Sequence, residues 1–247
     1  MKLAPLVGLI LASALQPAPV ARCGDITENM HALPSPNGPM VFAGYPDAYA
    51  LGYKVHPDSI SPDGNYGVLY CTMVEEYEPS RMANYLVSLK PFQIIAALEG
   101  DVYFAHKNRS DLSVAWTDDS TAGLVTVGSR WGPGSVDLIE IADGKLVRQS
   151  NLLEKAMALL KPDWENCKSQ PYNENFLFVI TSDIETGWTF DANNRVRIDC
   201  TGETNPKHLP DEKSWAARLE AVWGIQEARF IKRKVTRLQC GNYKEEQ

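Results

Sequence analysis

The side chains with the clearest binding chemistry are aromatic, acidic, basic and imidazole groups in a few connecting segments. If the strands run up and down in turn, the segments at 73–83, 99–111 and 129–134 share one end of the sheets, because alternate connections of a meander do so. Long connections on a rigid β scaffold commonly carry binding groups. The candidate binding face consists of His56, Glu75, Glu76, Tyr77, Arg81, His106, Arg109 and Trp131. The alternative interpretation is that these are ordinary solvated charges of surface loops.

The sequence contains no recognisable catalytic or metal-binding motif. None of its four histidines belongs to an H-E-x-x-H motif, and G-x-S-x-G, P-loop and glycine-rich dinucleotide patterns are absent. A glycosidase needs two carboxylates roughly 5–10 Å apart, and any acidic protein offers such pairs. The candidates here are Glu75, Glu76, Glu78, Asp101 and Asp111. Lone histidines are commonly structural, so we assign no catalytic residue, metal or cofactor.

A basic run near the C-terminus contains no acidic residue. It consists of Arg229, Lys232, Arg233, Lys234 and Arg237. One interpretation is contact with an anionic surface such as lipid headgroups or a polyanion. The other is the exposed side of an edge strand, where Lys and Arg discourage aggregation.

The N-terminus has the pattern of a secretory signal peptide. Met1 and Lys2 precede an apolar run over residues 3–15, and small residues follow. The run is shorter than the roughly 20 apolar residues that span a bilayer. We therefore expect residues 1–21 to be removed, leaving an exported protein of the periplasm or the extracellular space with no transmembrane segment.

The charge balance argues against nucleic acid as a partner. The formal net charge is −7, whereas phosphate binding depends on clustered Lys and Arg. An acidic chain of this kind suits a soluble protein that binds another protein or a cell-envelope ligand.

Five cysteines are present, without a C-x-x-C pair or zinc-like spacing. In an oxidising compartment we expect one or two disulfides. An odd count leaves at least one thiol unpaired within the chain. Their connectivity stays open at this point, as does whether Cys71 and Cys200 are buried thiols.

Two stretches of the chain look like copies of one unit. In the first, a turn at 61–65 precedes strand-like runs at 66–70 and 84–90, and in the second a turn at 117–121 precedes runs at 122–125 and 135–141. Ser61 and Thr117 are 56 positions apart. A period of this length is typical of four-stranded units. The pattern predicts two repeats, at 53–97 and 111–150.

The first turn, Ser61-Pro62-Asp63-Gly64, resembles the WD40-like β-propeller repeat of TolB-type periplasmic proteins, over roughly 90 of the 247 residues. In that family the turn joins the inner two strands of a blade. The second unit has Trp116-Thr117-Asp118-Asp119-Ser120, where the family often has Trp-Ser-Pro-Asp-Gly or Trp-Ser-Pro-Asp-Ser. Closed propellers take four to eight blades, and this chain has room for three four-stranded units at most. We therefore expect a partial propeller-like arrangement or two packed antiparallel sheets.

The rest of the chain supplies one helix and a last β unit. A possible cap at Asn151, a one-sided apolar stripe and Pro162 as terminator predict a helix over 151–161. Strand-like runs follow at 176–182, 188–190 and 195–201, with a turn at 191–194. The run at 217–223 fits helix and strand periodicity, and we interpret it as a strand paired with 229–238.

These patterns predict an all-β fold of antiparallel four-stranded meander units with one short helix near 151–161. They place a single domain at 22–240, with repeats at 53–97 and 111–150 and a C-terminal β unit at 176–240. The predicted function is non-enzymatic binding of a protein or cell-envelope ligand through loops on one face. The alternatives are a cell-envelope hydrolase acting on a carbohydrate or ester, and a structural module.

Overall fold

The computed structural model describes residues 31–33, 41–43, 53–72, 83–183, 186–208 and 213–241. The first two stretches pair as a small antiparallel sheet of β1 (His31–Leu33) and β2 (Val41–Ala43). The predicted signal peptide at 1–21 lies outside the described residues.

The first four-stranded sheet is built from short runs rich in β-branched and aromatic residues, which favour strands. It contains, in spatial order, β3 (Tyr53–Val55), β4 (Tyr66–Cys71), β5 (Tyr85–Leu89) and β6 (Phe92–Ala97). A single 3-10 turn at Pro57–Ser59 lies between β3 and β4.

The second sheet has the same antiparallel meander order. It contains β7 (Leu112–Trp116), β8 (Ala122–Gly128), β9 (Pro133–Ala142) and β10 (Lys145–Asn151). The helix α1 (Leu152–Cys167) follows β10 directly.

The third sheet is a meander whose first strand is interrupted. It contains β11 (Val179–Thr181), β12 (Trp188–Phe190), β13 (Val196–Glu203), β14 (Trp215–Gly224) and β15 (Arg229–Cys240). Both β11 and β12 pair with β13, along successive parts of the same edge. The predicted all-β antiparallel class with one helix is confirmed for the described residues, in which no sheet closes into a barrel. The predicted pairing of 217–223 with 229–238 is confirmed as β14 with β15.

The two repeats use the same hydrogen bonds in their first turns. Ser61 Oγ donates to Asp63 Oδ1 at 2.6 Å, and Thr117 Oγ1 donates to Asp119 Oδ1 at 2.7 Å. In both turns the fourth residue has a positive φ, +68° at Gly64 and +58° at Ser120. The repeat seen in the sequence is therefore a repeat of turn geometry.

The three large sheets pack face to face in chain order. Val68 and Leu86 of the first sheet share one apolar cluster with Val125 and Ile139 of the second. On its other face, the second sheet presents residues such as Leu138 to a larger cluster that includes α1 and the third sheet. The described residues thus form three stacked sheets, with α1 bridging the second and third.

The stack ends at the outer face of the third sheet. Along β13, buried Ile198 and Cys200 alternate with exposed Arg197 and Asp199, the pattern of a strand that is buried on one side and solvated on the other. The outer face is charged along β14 and β15 as well, because Arg218, Glu220 and Lys234 form ion pairs there. A further sheet would have to desolvate these groups.

The predicted helix end at Pro162 is wrong. The helix begins as expected, with Asn151 as a cap whose side chain accepts a hydrogen bond of 3.0 Å from the Glu154 amide, but it continues past Pro162 to Cys167. Within the part of the chain that the structure describes, no helix combines the length and apolar composition needed to cross a membrane.

Tertiary contacts explain why α1 passes through Pro162, a residue that costs roughly 3 kcal/mol inside a helix. Asp163 accepts hydrogen bonds from Trp215 Nε1 at 2.9 Å and from the Arg237 guanidinium at 2.7 Å. A disulfide between Cys167 and Cys240 fastens the last turn to the end of β15. The extra helical turns are held by the third sheet, which a local sequence pattern does not reveal.

Candidate functional site

Half of the candidate binding face lies outside the described residues. Glu75, Glu76, Tyr77 and Arg81 belong to the stretch 73–82, and their predicted role stays a prediction. The structure places the other four candidates, which are His56, His106, Arg109 and Trp131.

The described turns sort into two ends of the sheets, as the meander order requires. At one end, the Gly128 amide donates to the carbonyl oxygen of Asp111 at 2.8 Å, which joins the segments 98–111 and 129–132. At the other end, the Asp63 amide donates to Ser120 Oγ at 3.3 Å, which joins the matched turns of the two repeats.

Residues from each of the three large sheets line an open cleft of about 840 Å³, which we call the inner-strand cleft. The first sheet contributes the residues after β3, the second contributes the start of β7 and the β8–β9 loop, and the third contributes the residues after β11. The lining residues are His56, Asp58, Asp111, Leu112, Ser113, Ser129, Trp131, Gly132, Ser182 and Asp183. Two of the predicted binding residues, His56 and Trp131, are therefore brought together.

His56 occupies an aromatic cluster on the wall of the inner-strand cleft. Its ring makes edge-to-face contacts with Tyr70 and Tyr103, at centroid distances of 5.3 and 5.4 Å. Burial lowers the pKa of His56, and the nearby carboxylates of Asp58 and Asp111 oppose this shift. The imidazole is therefore neutral at pH 7. Its Nδ1 atom is buried and finds no hydrogen-bond partner among the described residues.

Tyr103 is fixed beside His56 by a buried asparagine. Asn84 Nδ2 donates to the carbonyl oxygen of Tyr103 at 2.9 Å, and the Tyr103 amide donates to Asn84 Oδ1 at 2.8 Å. Burial raises the pKa of Tyr103, with smaller contributions from Tyr70 and Asp111. The phenol therefore stays protonated at neutral pH, and the two hydrogen bonds with Asn84 fix the backbone of Tyr103.

Trp131 lines the cleft from a tight loop. The amide and hydroxyl of Ser129 both donate to the carbonyl oxygen of Gly132, at 2.7 and 2.8 Å. A Cβ at Gly132 would overlap the carbonyl oxygen of Ile180, so the loop packs closely on the third sheet. The guanidinium of Arg130 lies 4.6 Å from the Trp131 ring centroid, a cation–π contact.

The other two placed candidates do not line the cleft. His106 and Arg109 are exposed turn residues with φ of +63° and +55°. Between them, Lys107 Nζ donates to the carbonyl oxygen of Val102 at 2.7 Å and lies over the Phe104 ring. These contacts order the segment that follows Tyr103.

The chemistry of the cleft is anionic and hydrogen bonding. Its lining holds three carboxylates, those of Asp58, Asp111 and Asp183, together with three serine hydroxyls, and it contains no Lys or Arg. Clefts lined by charges of one sign concentrate ligands of the opposite sign. The Trp131 ring also lines the cleft, and because the Arg130 guanidinium already lies over it, a guanidinium or ammonium group of a ligand can stack on the ring face that Arg130 leaves open.

A second cleft of about 840 Å³ lies on the outer face of the third sheet. Its charges are largely paired with each other, because Arg195 lies 2.7 Å from Asp191 and Lys234 lies 3.3 Å from Glu220. The inner-strand cleft is the better candidate because its lining contains acidic but no basic side chains and because it includes the buried His56 Nδ1, which has no hydrogen-bond partner among the described residues.

Sequence patterns missed several cleft residues. Asp58 lies in the 3-10 turn after Pro57, a local pattern that indicates only a turn. Asp183 Oδ1 accepts a hydrogen bond from the Thr186 amide at 3.0 Å and supports the β11–β12 connection. Neither pattern signals that two turns of different sheets meet across one cleft.

Within the described stretches, no group of three or more His, Cys, Asp or Glu side chains is arranged to hold a metal ion. No family model, no curated protein and no solved structure matches this chain.

Proposed function

We propose that this chain is an exported, non-enzymatic binding protein whose inner-strand cleft receives a basic group of a protein or cell-envelope ligand. The observation that carries the proposal is the convergence of His56 and Trp131 with three carboxylates in one open cleft. Concave sites with a few convergent polar groups are the usual ligand sites of proteins.

The recognition chemistry follows from the charges of the lining. A guanidinium or ammonium group in the cleft can form charge-assisted hydrogen bonds with lining carboxylates such as Asp58 and Asp111. Trp131 offers the same cation the ring face that Arg130 leaves open. Because burial lowers the pKa of His56, the imidazole adds no repulsion at pH 7.

Two observations support export and the repeat assignment. The disulfide between Cys167 and Cys240 is of a kind that persists in oxidising compartments, in agreement with the signal-peptide pattern after Lys2. The turn at residues 61–64 lies between β3 and β4, and its side-chain hydrogen bond recurs in the turn at residues 117–120 of the second sheet. We therefore include a WD40-like repeat relationship in the proposal.

The proposal is tested with the purified mature protein and a labelled pentapeptide that carries one central Arg flanked by Gly, with Gln and Glu versions as comparisons. Asp111→Asn and Trp131→Ala should each weaken binding of the Arg peptide by about tenfold or more, since central contacts of this kind are worth about 2 kcal/mol. The matched controls are Asp143→Asn and Phe176→Ala, which change an exposed acid and an exposed aromatic ring outside the cleft.

The free energy of unfolding should stay within about 0.5 kcal/mol of wild type for Asp111→Asn and for both controls, because these three side chains are exposed. Equal binding by cleft variants and controls would contradict the proposal. So would binding of the Glu peptide as tightly as the Arg peptide.

A second candidate function is hydrolysis of a carbohydrate or ester, favoured by the neutral, unpartnered His56 beside two carboxylates. A buried histidine with a shifted pKa is a common general base. Turnover of nitrophenyl esters or of short envelope oligosaccharides, lost in His56→Gln, would favour the hydrolase. Absence of turnover together with retained peptide binding would favour the binding protein.

A further inference from the structure

The last strand of the chain is a long edge. β15 comprises 12 residues, pairs with β14 along one side and has no strand on its other side within the described part of the chain. All of its residues except Phe230 and Cys240 are exposed. An unpaired edge presents free amide and carbonyl groups to which another extended chain can add.

The charge of this edge is opposite to that of the whole protein. β15 carries five basic residues and no acidic one, whereas the chain has a formal net charge of −7. Two of these cations are already paired, Lys234 with Glu220 at 3.3 Å and Arg237 with Asp163 at 2.7 Å. Arg229, Lys232 and Arg233 have no carboxylate partner among the described residues.

The central part of β15 has regular strand geometry. The pairing with β14 shifts register at Ile231 and again at Leu238, and it is continuous over residues 232–237. Residues that pair directly across two strands lie on the same face of the sheet. Arg233 and Arg237 pair with buried Ala221 and Ala217 and therefore lie on the inner face, where Arg237 contacts α1.

The outer face of the same stretch holds Lys232 and Lys234, opposite Val222 and Glu220. Cations therefore project on both sides of a straight six-residue edge. An extended segment added to this edge would meet basic groups on both of its faces.

Protection of the edge against aggregation does not explain the whole side-chain composition of β15. Lys, Arg and bulges protect an edge, but β15 also exposes apolar side chains, with 40% of Ile231, 37% of Val235 and 58% of Leu238 accessible. Pairing with a second copy of β15 would set cations opposite cations, which is destabilising. Charge complementarity thus selects an acidic partner.

We propose that residues 232–237 of β15 bind an extended acidic segment of a partner protein by strand addition. Glutamates or aspartates of that segment lie opposite Lys232 and Lys234 on one face and opposite Arg233 on the other, and an apolar residue lies opposite Val235. The backbone supplies the ladder of hydrogen bonds, and the cations select for acidic sequence. The site is separate from the inner-strand cleft and does not depend on it.

The test uses the full mature protein and labelled ten-residue peptides with blocked ends. The probe peptide carries Glu on both faces of an extended chain and Val at its centre, and a second peptide has Gln in place of every Glu. Two further peptides keep the Glu sequence but carry N-methyl groups on alternate amides, one on the even and one on the odd positions. Anisotropy titrations at low and at physiological salt give the dissociation constants.

The Glu peptide should bind at least about tenfold more tightly than the Gln peptide, and one of the two methylated peptides should lose about tenfold while the other binds normally. The double variant Lys232→Gln/Arg233→Gln should lose about tenfold in affinity. The matched control Lys145→Gln/Lys207→Gln removes two exposed lysines elsewhere and should bind as wild type does.

Three outcomes would overturn the proposal. One is absence of binding by the Glu peptide. Another is equal binding by both methylated peptides, which would mark β15 as a general polyanion or anionic-lipid surface. The third is unchanged affinity in the β15 double variant while its melting temperature matches that of wild type.

Discussion

Trp116 Nε1 donates a hydrogen bond of 3.0 Å to the carbonyl oxygen of Ser59, and this bond ties the first strand of the second sheet to the turn region of the first. The half-buried indole also stacks on Tyr66 at a centroid distance of 6.2 Å. A polar contact between the end of β7 and the turn before β4 therefore joins the two repeats, in addition to their shared apolar core.

Replacing Trp116 with Phe should lower the free energy of unfolding, because it removes this hydrogen bond and leaves the Ser59 carbonyl to find another donor. A net hydrogen bond is worth about 1 kcal/mol. The matched control is Trp164→Phe, since Trp164 is also half-buried but its Nε1 has no partner among the described residues. Urea titrations should show a larger loss for Trp116→Phe by about 1 kcal/mol. A larger loss for Trp164→Phe would contradict the assigned role of the bond.

The turn that opens the first repeat requires a residue that tolerates positive φ. Gly64 has φ of +68°, so Gly64→Val should cost about 1–2 kcal/mol or more. Gly64→Asn should cost much less, because Asn visits this region more readily than any β-branched residue. Thermal melts of both variants check the prediction, and equal melting temperatures would show that backbone strain does not govern this turn.

Local turn chemistry explains which parts of the fold were predictable. The repeat was visible because Ser61 and Thr117 begin the same hydrogen-bonded turn, and the C-terminal hairpin was visible from alternation between Ala217 and Trp223. The helix end was not, because the contacts of Asp163 with Trp215 and Arg237 come from two distant strands, β14 and β15.

The site was predictable only in part. Trp131 and His56 stood out as binding side chains on connections, but their convergence depends on the stacking of three sheets. Asp183, on the third sheet, reaches the cleft through that stacking alone. A single sequence carries no signal for such contacts between sheets.

Asp137 makes stability depend on pH. It lies buried on β9, 2% exposed, and burial raises its pKa to about 6 from 3.8, against hydrogen bonds from Gln149 and Ser135. The folded protein therefore binds this proton more tightly than the unfolded chain does. The contribution of Asp137 to stability should be fully present below about pH 4 and should fall by up to roughly 3 kcal/mol as the pH rises through about 6.

Asp137→Asn should remove this part of the pH dependence and stabilise the protein at neutral pH. Unfolding free energies measured between about pH 4 and 8 test the prediction. Asp143→Asn, at an exposed turn, serves as the control and should leave the slope unchanged. A parallel slope in Asp137→Asn and wild type would show that another group dominates.

The disulfide and the buried thiols should respond differently to reagents. Reduction of Cys167–Cys240 should lower stability by about 2–4 kcal/mol, since the bond closes a long loop between α1 and β15. Cys71 and Cys200 are buried, and burial raises the pKa of Cys200 to about 12. Both thiols should resist alkylation in the native state and react only after unfolding. Rapid labelling of the native protein at either thiol would contradict this assignment.

His56 should make ligand binding sensitive to acid. Burial lowers its pKa below 6.5, against the pull of Asp58 and Asp111, and the rings of Tyr70 and Tyr103 face it. When the pH falls through this lowered pKa, the imidazole becomes a cation inside the cleft. Affinity for the Arg peptide should therefore fall as the pH is lowered from neutral through this lowered pKa.

The lowered pKa of His56 should also make the protein less stable on acidification. Below pH 6.5 the unfolded chain takes up the proton more readily than the folded protein does, so the contribution of His56 to stability is present above that pH and is lost on acidification.

The binding prediction is tested with two histidine variants. His56→Gln should bind the Arg peptide with little change on acidification, whereas His106→Gln, at an exposed turn, should keep the wild-type pH profile of binding. If His56→Gln retains the full loss of affinity on acidification, the imidazole does not lie where the bound cation lies, and the assigned cleft is not the site of binding.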